Sequence, residues 1–270
     1  MNIFMTADLE GVSGVVDFDK QANPGSAGYS EARKHLMAEL NSAVEGAVEA
    51  GVKEVLIFDM HFWGLNVILE ELHPQAKVVL GKPAKIYPSL SLDSSFKGLM
   101  MIGFHARAGA PGGLLTHTYD HSIKNLYLNQ RLIGEIGMEA AIAGTYDIPL
   151  IMLSGDSKAI EESKAFSTPP EAAEVKYAIN EHSAICLPLS QVKKLIKEKA
   201  RTAVEKIDQF SPFHLNPPFQ IQIEFFHPQE VQKALSLTGV NKVSELKVEI
   251  KGNNLPLLLE RFISKYQGYD

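Results

Sequence analysis

Apolar residues fall in short runs separated by longer stretches of helical spacing. Residues 3–7 predict a buried strand. Residues 28–50 set Leu36, Leu40, Val44, Ala47 and Val48 on one face of an amphipathic helix, which Gly51 ends. The β-branched run 52–58 predicts a second strand, and 76–80, 99–104 and 149–153 repeat the pattern. Between the last two, 126–128 and 131–133 flank Asn129 and Gln130 as a hairpin, and 134–143 predicts a helix. Strands alternating with helices predict an α/β fold, a mainly parallel sheet sandwiched by helices.

The pattern changes after Cys186. Residues 189–207, rich in Lys and Glu, predict a helix with Ser190 as its N-cap, and its charged face reads as solvated surface. Pro212, Pro217 and Pro218 interrupt the chain before a strand at 219–226. A helix near 228–235, a strand near 244–250 and a helix near 255–265 follow. The expected division is a catalytic α/β domain over 1–186 and a smaller C-terminal α/β subdomain over 187–270, the latter contributing to oligomerisation.

Composition narrows the function. The 270 residues carry a formal net charge of −6, which argues against a nucleic-acid binder. No apolar run reaches the length of a transmembrane helix, and the first residues do not form a basic region followed by an apolar core. A cytoplasmic protein is expected. Cys186 is the single cysteine, so a multi-thiolate metal site and an intrachain disulfide are excluded.

Polar residues gather where the apolar strands end. The first strand runs into "TADLEG", with Asp8 and Glu10 two apart. The second ends in "FDMH", with Asp59 and His61. The strand at 99–104 meets His105 in "GFHARAG", and that at 149–153 ends in Ser154-Gly155-Asp156. Ligands in open α/β sheets bind beyond the carboxyl ends of parallel strands. If these strands are neighbours, Asp8, Glu10, His61 and His105 converge on one crevice. Taken singly, each has a bland reading: a solvated turn for the acids, a hydrogen-bonded structural residue for each histidine. Asp59 and Asp156 read as turn or helix caps, or, for Asp59, as a group that orients a ligand.

Together, two carboxylates and two imidazoles suit zinc, manganese or iron. Two carboxylates on one strand face repel each other unless positive charge lies between them. A carboxylate bridging two ions is the usual way to hold a metal pair. Glu135 in "GEIGMEA" is a fifth candidate ligand and Glu139, one turn later, its rival. In "THTYDHS", delivered by a Gly-rich connection, either His117 or His121 could transfer protons at near-neutral pH. His35, His73, His182, His214 and His227 show no such convergence and read as structural.

In this order, "TADLEG", "DMH", "GFHAR", "HT" and "GEIG" resemble the motifs of peptidase family M55, the zinc-dependent D-aminopeptidases, across most of the chain. Thr6 stands where the motif usually has Ser, which keeps the hydroxyl. The resemblance implies a metallo-aminopeptidase that hydrolyses short peptides with an N-terminal D-residue. It implies two zinc ions per subunit, with manganese or another divalent ion compatible, held by Asp8, Glu10, His61, His105 and Glu135, Asp8 bridging. It selects His117 over His121 as the catalytic histidine, stabilising the tetrahedral intermediate or protonating the leaving amine. It also implies a ring-shaped homo-oligomer, a decamer in expectation; charge and the lack of a long apolar run add the expectation of no nucleic-acid or membrane partner. The rival readings are a metallohydrolase cutting another amide or a phosphate ester, and a non-catalytic metal-binding assembly protein.

Overall fold

The computed structural model describes residues 1–81, 90, 92–166 and 168–268. In chain order the strands are β1 (Asn2–Ala7), β2 (Glu54–Asp59), β3 (Ala76–Val79), β4 (Phe96–Phe104), β5 (Ile123–Leu128), β6 (Arg131–Ile133), β7 (Leu150–Asp156), β8 (Glu171–Asn180), β9 (Ser183–Cys186), β10 (Phe219–Phe225), β11 (Val240–Lys242) and β12 (Lys247–Gly252). The main helices are α1 (Tyr29–Glu49), α2 (Glu135–Gly144), α3 (Ser157–Ser163), α4 (Leu189–Glu205), α5 (Pro228–Leu235) and α6 (Leu255–Leu259).

A seven-stranded sheet runs in the order β3-β2-β1-β4-β7-β8-β9. Its strands are parallel apart from β9, which pairs antiparallel with β8. A five-stranded antiparallel sheet, β11-β12-β10-β5-β6, forms a second layer.

The period-2 alternation of a strand sends successive side chains to opposite faces, and here it builds two cores. Ile3 and Met5 of β1, with Met100 and Ile102 of β4, pack against Leu36, Leu40 and Val44 of α1 and Val192 and Ile196 of α4. Phe4, Leu99 and Met101 face the other way, into a core shared with α2 and the second sheet. All ten residues of α2 are buried between the two sheets, the carboxylates Glu135 and Glu139 among them. Truncating Leu36 or Leu40 to Ala would cost about 2–5 kcal/mol.

The predicted strands and helices recur with small shifts of boundary, and the 126–133 hairpin turns on Asn129 (φ 48°) and Gln130 (φ 67°), the double left-handed turn that suits strand twist. Three features differ. Helix α4 begins one residue after Pro188, its N-cap, so Ser190 lies within the first turn and caps nothing. Strands β8, β9 and β11 and helix α3 were not apparent in the pattern. β8 reads EAAEVKYAIN, whose Glu, Ala and Lys favour a helix until pairing with β7 makes it a strand. Finally, the two sheets do not divide at residue 186. Strands β5 and β6 belong to the second sheet, and α4 packs on α1 beside the first.

Candidate metal centre

The parallel sheet changes winding direction between β1 and β4, and the crevice beyond their carboxyl ends is where ligands bind in such folds. Asp8 and Glu10 follow β1, His61 follows β2 and His105 follows β4. The Asp8 amide donates to the Ile102 carbonyl at 2.9 Å and that of Gly11 to Gly103 at 2.7 Å, which ties the acidic turn to the end of β4. A Cβ at Gly11 would lie 1.9 Å from the Phe104 carbonyl oxygen, so only glycine permits this approach.

The two acids therefore sit in the turn beyond the strand, and their carboxylates still meet. His61 Nδ1 is 3.3 Å from Asp8 Oδ1 and 2.9 Å from Glu10 Oε2. His105 Nε2 is 3.3 Å from Asp8 Oδ2 and 3.5 Å from Glu135 Oε1. His117 Nε2 lies 3.9 Å from both Glu10 Oε1 and Glu135 Oε1. Glu135 opens α2, and its Oε1 accepts the Tyr119 amide at 2.7 Å. Six predicted residues thus come together, all buried except His117, which keeps a partly open edge.

The rival candidates do not join this set. Glu139 Oε1 accepts the Tyr119 hydroxyl at 3.2 Å. His121 is exposed and stacks on the outer side of His117, ring centroids 4.7 Å apart. Asp156 caps α3 through the amides of Lys158 and Ala159. Asp59 accepts the Asn66 amide and side chain and the Val67 amide, and Asn66 in turn donates to the His61 carbonyl at 2.7 Å. It shapes the turn that carries His61 without touching the imidazole.

Each imidazole commits one nitrogen to a main-chain carbonyl: His61 Nε2 to Ala22, His105 Nδ1 to Ala106 and His117 Nδ1 to Leu115, at 2.8–3.0 Å. A neutral ring that donates through one nitrogen presents a lone pair on the other, here toward carboxylates. Asp8 Oδ2, Glu10 Oε2 and His105 Nε2 are buried and have no hydrogen bond of good geometry among the described residues. Acceptors facing acceptors at this depth need positive charge between them, from a proton or a metal cation.

The electrostatics agree. Burial pushes the His61 imidazole down, but Glu10 and Asp8 outweigh it and raise it to about 10. Burial likewise opposes charge on His105, yet Glu135, Asp8 and Glu10 raise it well above its ordinary value. Burial alone would raise Asp8, and the two imidazoles hold it well below. Without a metal the site gathers protons as its positive charge. The sets His105–His117–Glu135 and Asp8–Glu10–His105 each bring their donor atoms within 4.8 Å of one another, close enough to hold an ion. The oxygen and imidazole donors fit zinc or a similar divalent cation.

A family model for peptidase family M55, described as D-aminopeptidase, matches residues 1–262. The chain belongs to the M55 family. Among curated proteins, a D-aminopeptidase of Bacillus subtilis (strain 168) is 32% identical over 241 residues, 88% of this chain and 86% of the relative. Among solved structures, the Zn-dependent D-aminopeptidase DppA from Bacillus subtilis, described as a self-compartmentalizing protease, is similar with a TM-score of 0.93. Its identity is 28%, over 99% of this chain and 97% of that one.

Two buried groups of this M55 chain escaped the sequence reading. Lys176 and Glu39 lie beneath the acidic turn, Lys176 donating to the Glu10, Val12 and Val15 carbonyls and Glu39 accepting the Ser13 amide. Neither had a local signal, since Lys176 stands in β8 with Glu171 and Glu174, and Glu39 in α1 with several other charged residues.

Proposed function

We propose that this chain is a zinc-dependent aminopeptidase that removes N-terminal D-residues from short peptides, using two divalent cations held by Asp8, Glu10, His61, His105 and Glu135. The observation that carries this reading is the Asp8 carboxylate, whose oxygens lie 3.3 Å from the free nitrogens of two different imidazoles. Glu10 and His61 would hold one cation and His105 and Glu135 the other, with Asp8 common to both. Cations held there would supply polarisation of the scissile carbonyl and a lowered pKa for the attacking water.

The protein's own groups supply the rest. Water's oxygen bonds to the carbonyl carbon and its proton passes to His117 Nε2; the C–N bond then breaks, and the leaving amine needs a proton. His117 Nε2 is the atom that delivers it, because Nδ1 is held by the Leu115 carbonyl and the ring keeps an open edge. The carboxylates of Glu10 and Glu135, each 3.9 Å from Nε2, stabilise the imidazolium that exists between proton transfers.

We further infer that the protein works in the cytoplasm as a ring-shaped homo-oligomer of ten subunits. The solved relative is described as self-compartmentalizing. Among the described residues no helix is long and apolar enough to cross a membrane. Exposed apolar side chains suited to subunit contacts include Tyr177, Ile179 and Ile185 on the β8–β9 hairpin, and Phe226, Val243 and Leu257 in the C-terminal region.

A panel of dipeptides and tripeptides with N-terminal D- or L-residues, beside cyclic amides and phosphate esters, tests the activity on metal-stripped and zinc-reloaded protein. Hydrolysis of D-aminoacyl peptides that vanishes with a chelator and returns with zinc is expected. Turnover confined to another substrate class, or none after reloading, would overturn the reading.

A further inference from the structure

Lys176 is 1% exposed in the middle of β8. A buried ammonium is costly unless it is paired, and among the described residues no carboxylate lies within ion-pair distance of its Nζ. All its donors go instead to main-chain oxygens of one short segment, the carbonyls of Glu10, Val12 and Val15. Burial pulls the amine down to about 8, with Asp156, Cys186, Glu39 and Glu10 acting in the opposite direction. An apolar side chain would fill the same space without that penalty, so the lysine's value lies in what it holds.

The segment it holds carries one ligand of the proposed metal centre, Glu10. The Glu10 carbonyl is bound from behind by Lys176, while its carboxylate reaches forward to His61 Nδ1 at 2.9 Å and toward His117 Nε2 at 3.9 Å. Other contacts complete the cradle. The Ser13 amide donates to Glu39 at 2.8 Å, its hydroxyl to the Leu187 carbonyl at 3.0 Å, and His35 Nδ1 to the Ser13 carbonyl at 3.0 Å. Of these groups, only Lys176 touches Glu10 itself.

We propose that Lys176 is the positioning residue for the Glu10 half of the centre, gathering three carbonyls of residues 10–15 so that the Glu10 carboxylate stands between His61 and His117 before any cation arrives. The lysine touches neither cation nor substrate. It acts through Glu10, and the proposal rests on the two-cation reading above. The half built from His105 and Glu135 has no contact with it, so the two halves should respond differently to its loss.

The test is a cobalt titration of metal-stripped protein, followed by visible absorption and by competition with a chelator. Wild-type protein is expected to take two equivalents. In Lys176→Met one equivalent should bind within about 3-fold of the wild-type affinity, and the other about 10–100-fold more weakly, the range for losing a partner behind a ligand. Lys176→Gln, whose amide keeps two donors, should fall between. A folded Lys176→Met that binds both equivalents as tightly as wild type overturns the proposal, as does equal weakening of both.

A second measurement needs no variant and stands even if both substitutions fail to fold. In metal-free wild-type protein the Gly11 and Ser13 amides should exchange with solvent as slowly as in the metal-loaded form. Protection that appears only on metal binding would mean that the cation, and not Lys176, orders the turn. Wild-type protein that binds no cation would instead overturn the metal reading on which the proposal rests.

Discussion

The His117 imidazole lies stacked on that of His105, with ring centroids 4.1 Å apart and planes 11° from parallel. His105 is buried and faces Asp8 and Glu135 through Nε2, whereas His117 has its outer edge toward the crevice. On the function proposed above, one ring holds a cation and the other exchanges a proton beside it. His117→Ala is therefore expected to lower kcat by roughly 10²–10⁴-fold, while KM and the bound-metal content stay near wild type. Steady-state kinetics beside metal analysis decide it, and a variant that keeps full turnover with its metals in place would remove His117 from the chemistry.

Asp8→Asn should weaken both cations at once. The amide keeps one acceptor oxygen and puts a donor NH2 where the second faced an imidazole. The loss of affinity should exceed the roughly 10–100-fold that removal of an outer partner costs. Glu135→Gln should weaken only the cation on the His105 side. Competition titrations separate the two patterns, and a single weakened equivalent in Asp8→Asn would rule out a bridge.

Glu39 predicts a pH dependence of stability. Its side chain is fully buried, and burial raises its carboxyl from 4.5 to about 7 despite the Ser13 amide, Lys176 and Ser154. Between these values the folded chain holds a proton that the unfolded chain has lost. Stability therefore falls as pH rises from 4.5 to 7 and stays lower above. Glu39→Gln keeps an acceptor for the Ser13 amide and abolishes the titration. The variant's stability relative to wild type should rise between pH 4.5 and pH 8 by up to about 3 kcal/mol. Urea midpoints at the two pH values measure it; an unchanged difference would mean that Glu39 ionises normally.

Tyr177, Ile179 and Ile185 are 56–64% exposed. Tyr177 and Ile185 are paired across β8 and β9, so they share a face with Ile179. If this stripe joins subunits, replacing Tyr177 and Ile185 together by Lys should yield smaller species in sedimentation velocity with the monomer's circular dichroism intact. An unaltered assembly would place the contacts elsewhere.

Much of the framework was legible because it depends on local pattern. Strand and helix periods, the Asn129-Gln130 turn and the polar residues ending β1, β2 and β4 follow from side-chain order along the chain. Glu135 could be told from Glu139, and His117 from His121, only by family motifs, since one helical turn or four loop residues leaves both orientations open. β8 was hidden because residues with helical preference become a strand when paired with β7. Lys176 was hidden with it, since its partners are carbonyls 161–166 residues away.

The sequence by itself determined the alternation of strands and helices and the donor types able to hold a cation, because both depend on short-range spacing and side-chain chemistry. Tertiary structure decided which donors meet. The order β2-β1-β4 brings three strand ends together, and α2 enters between the sheets to deliver Glu135. The loop after β4 folds back to stack His117 on His105. Such convergence rests on contacts between residues far apart in the chain, whose geometry is set by packing, and no local pattern encodes it.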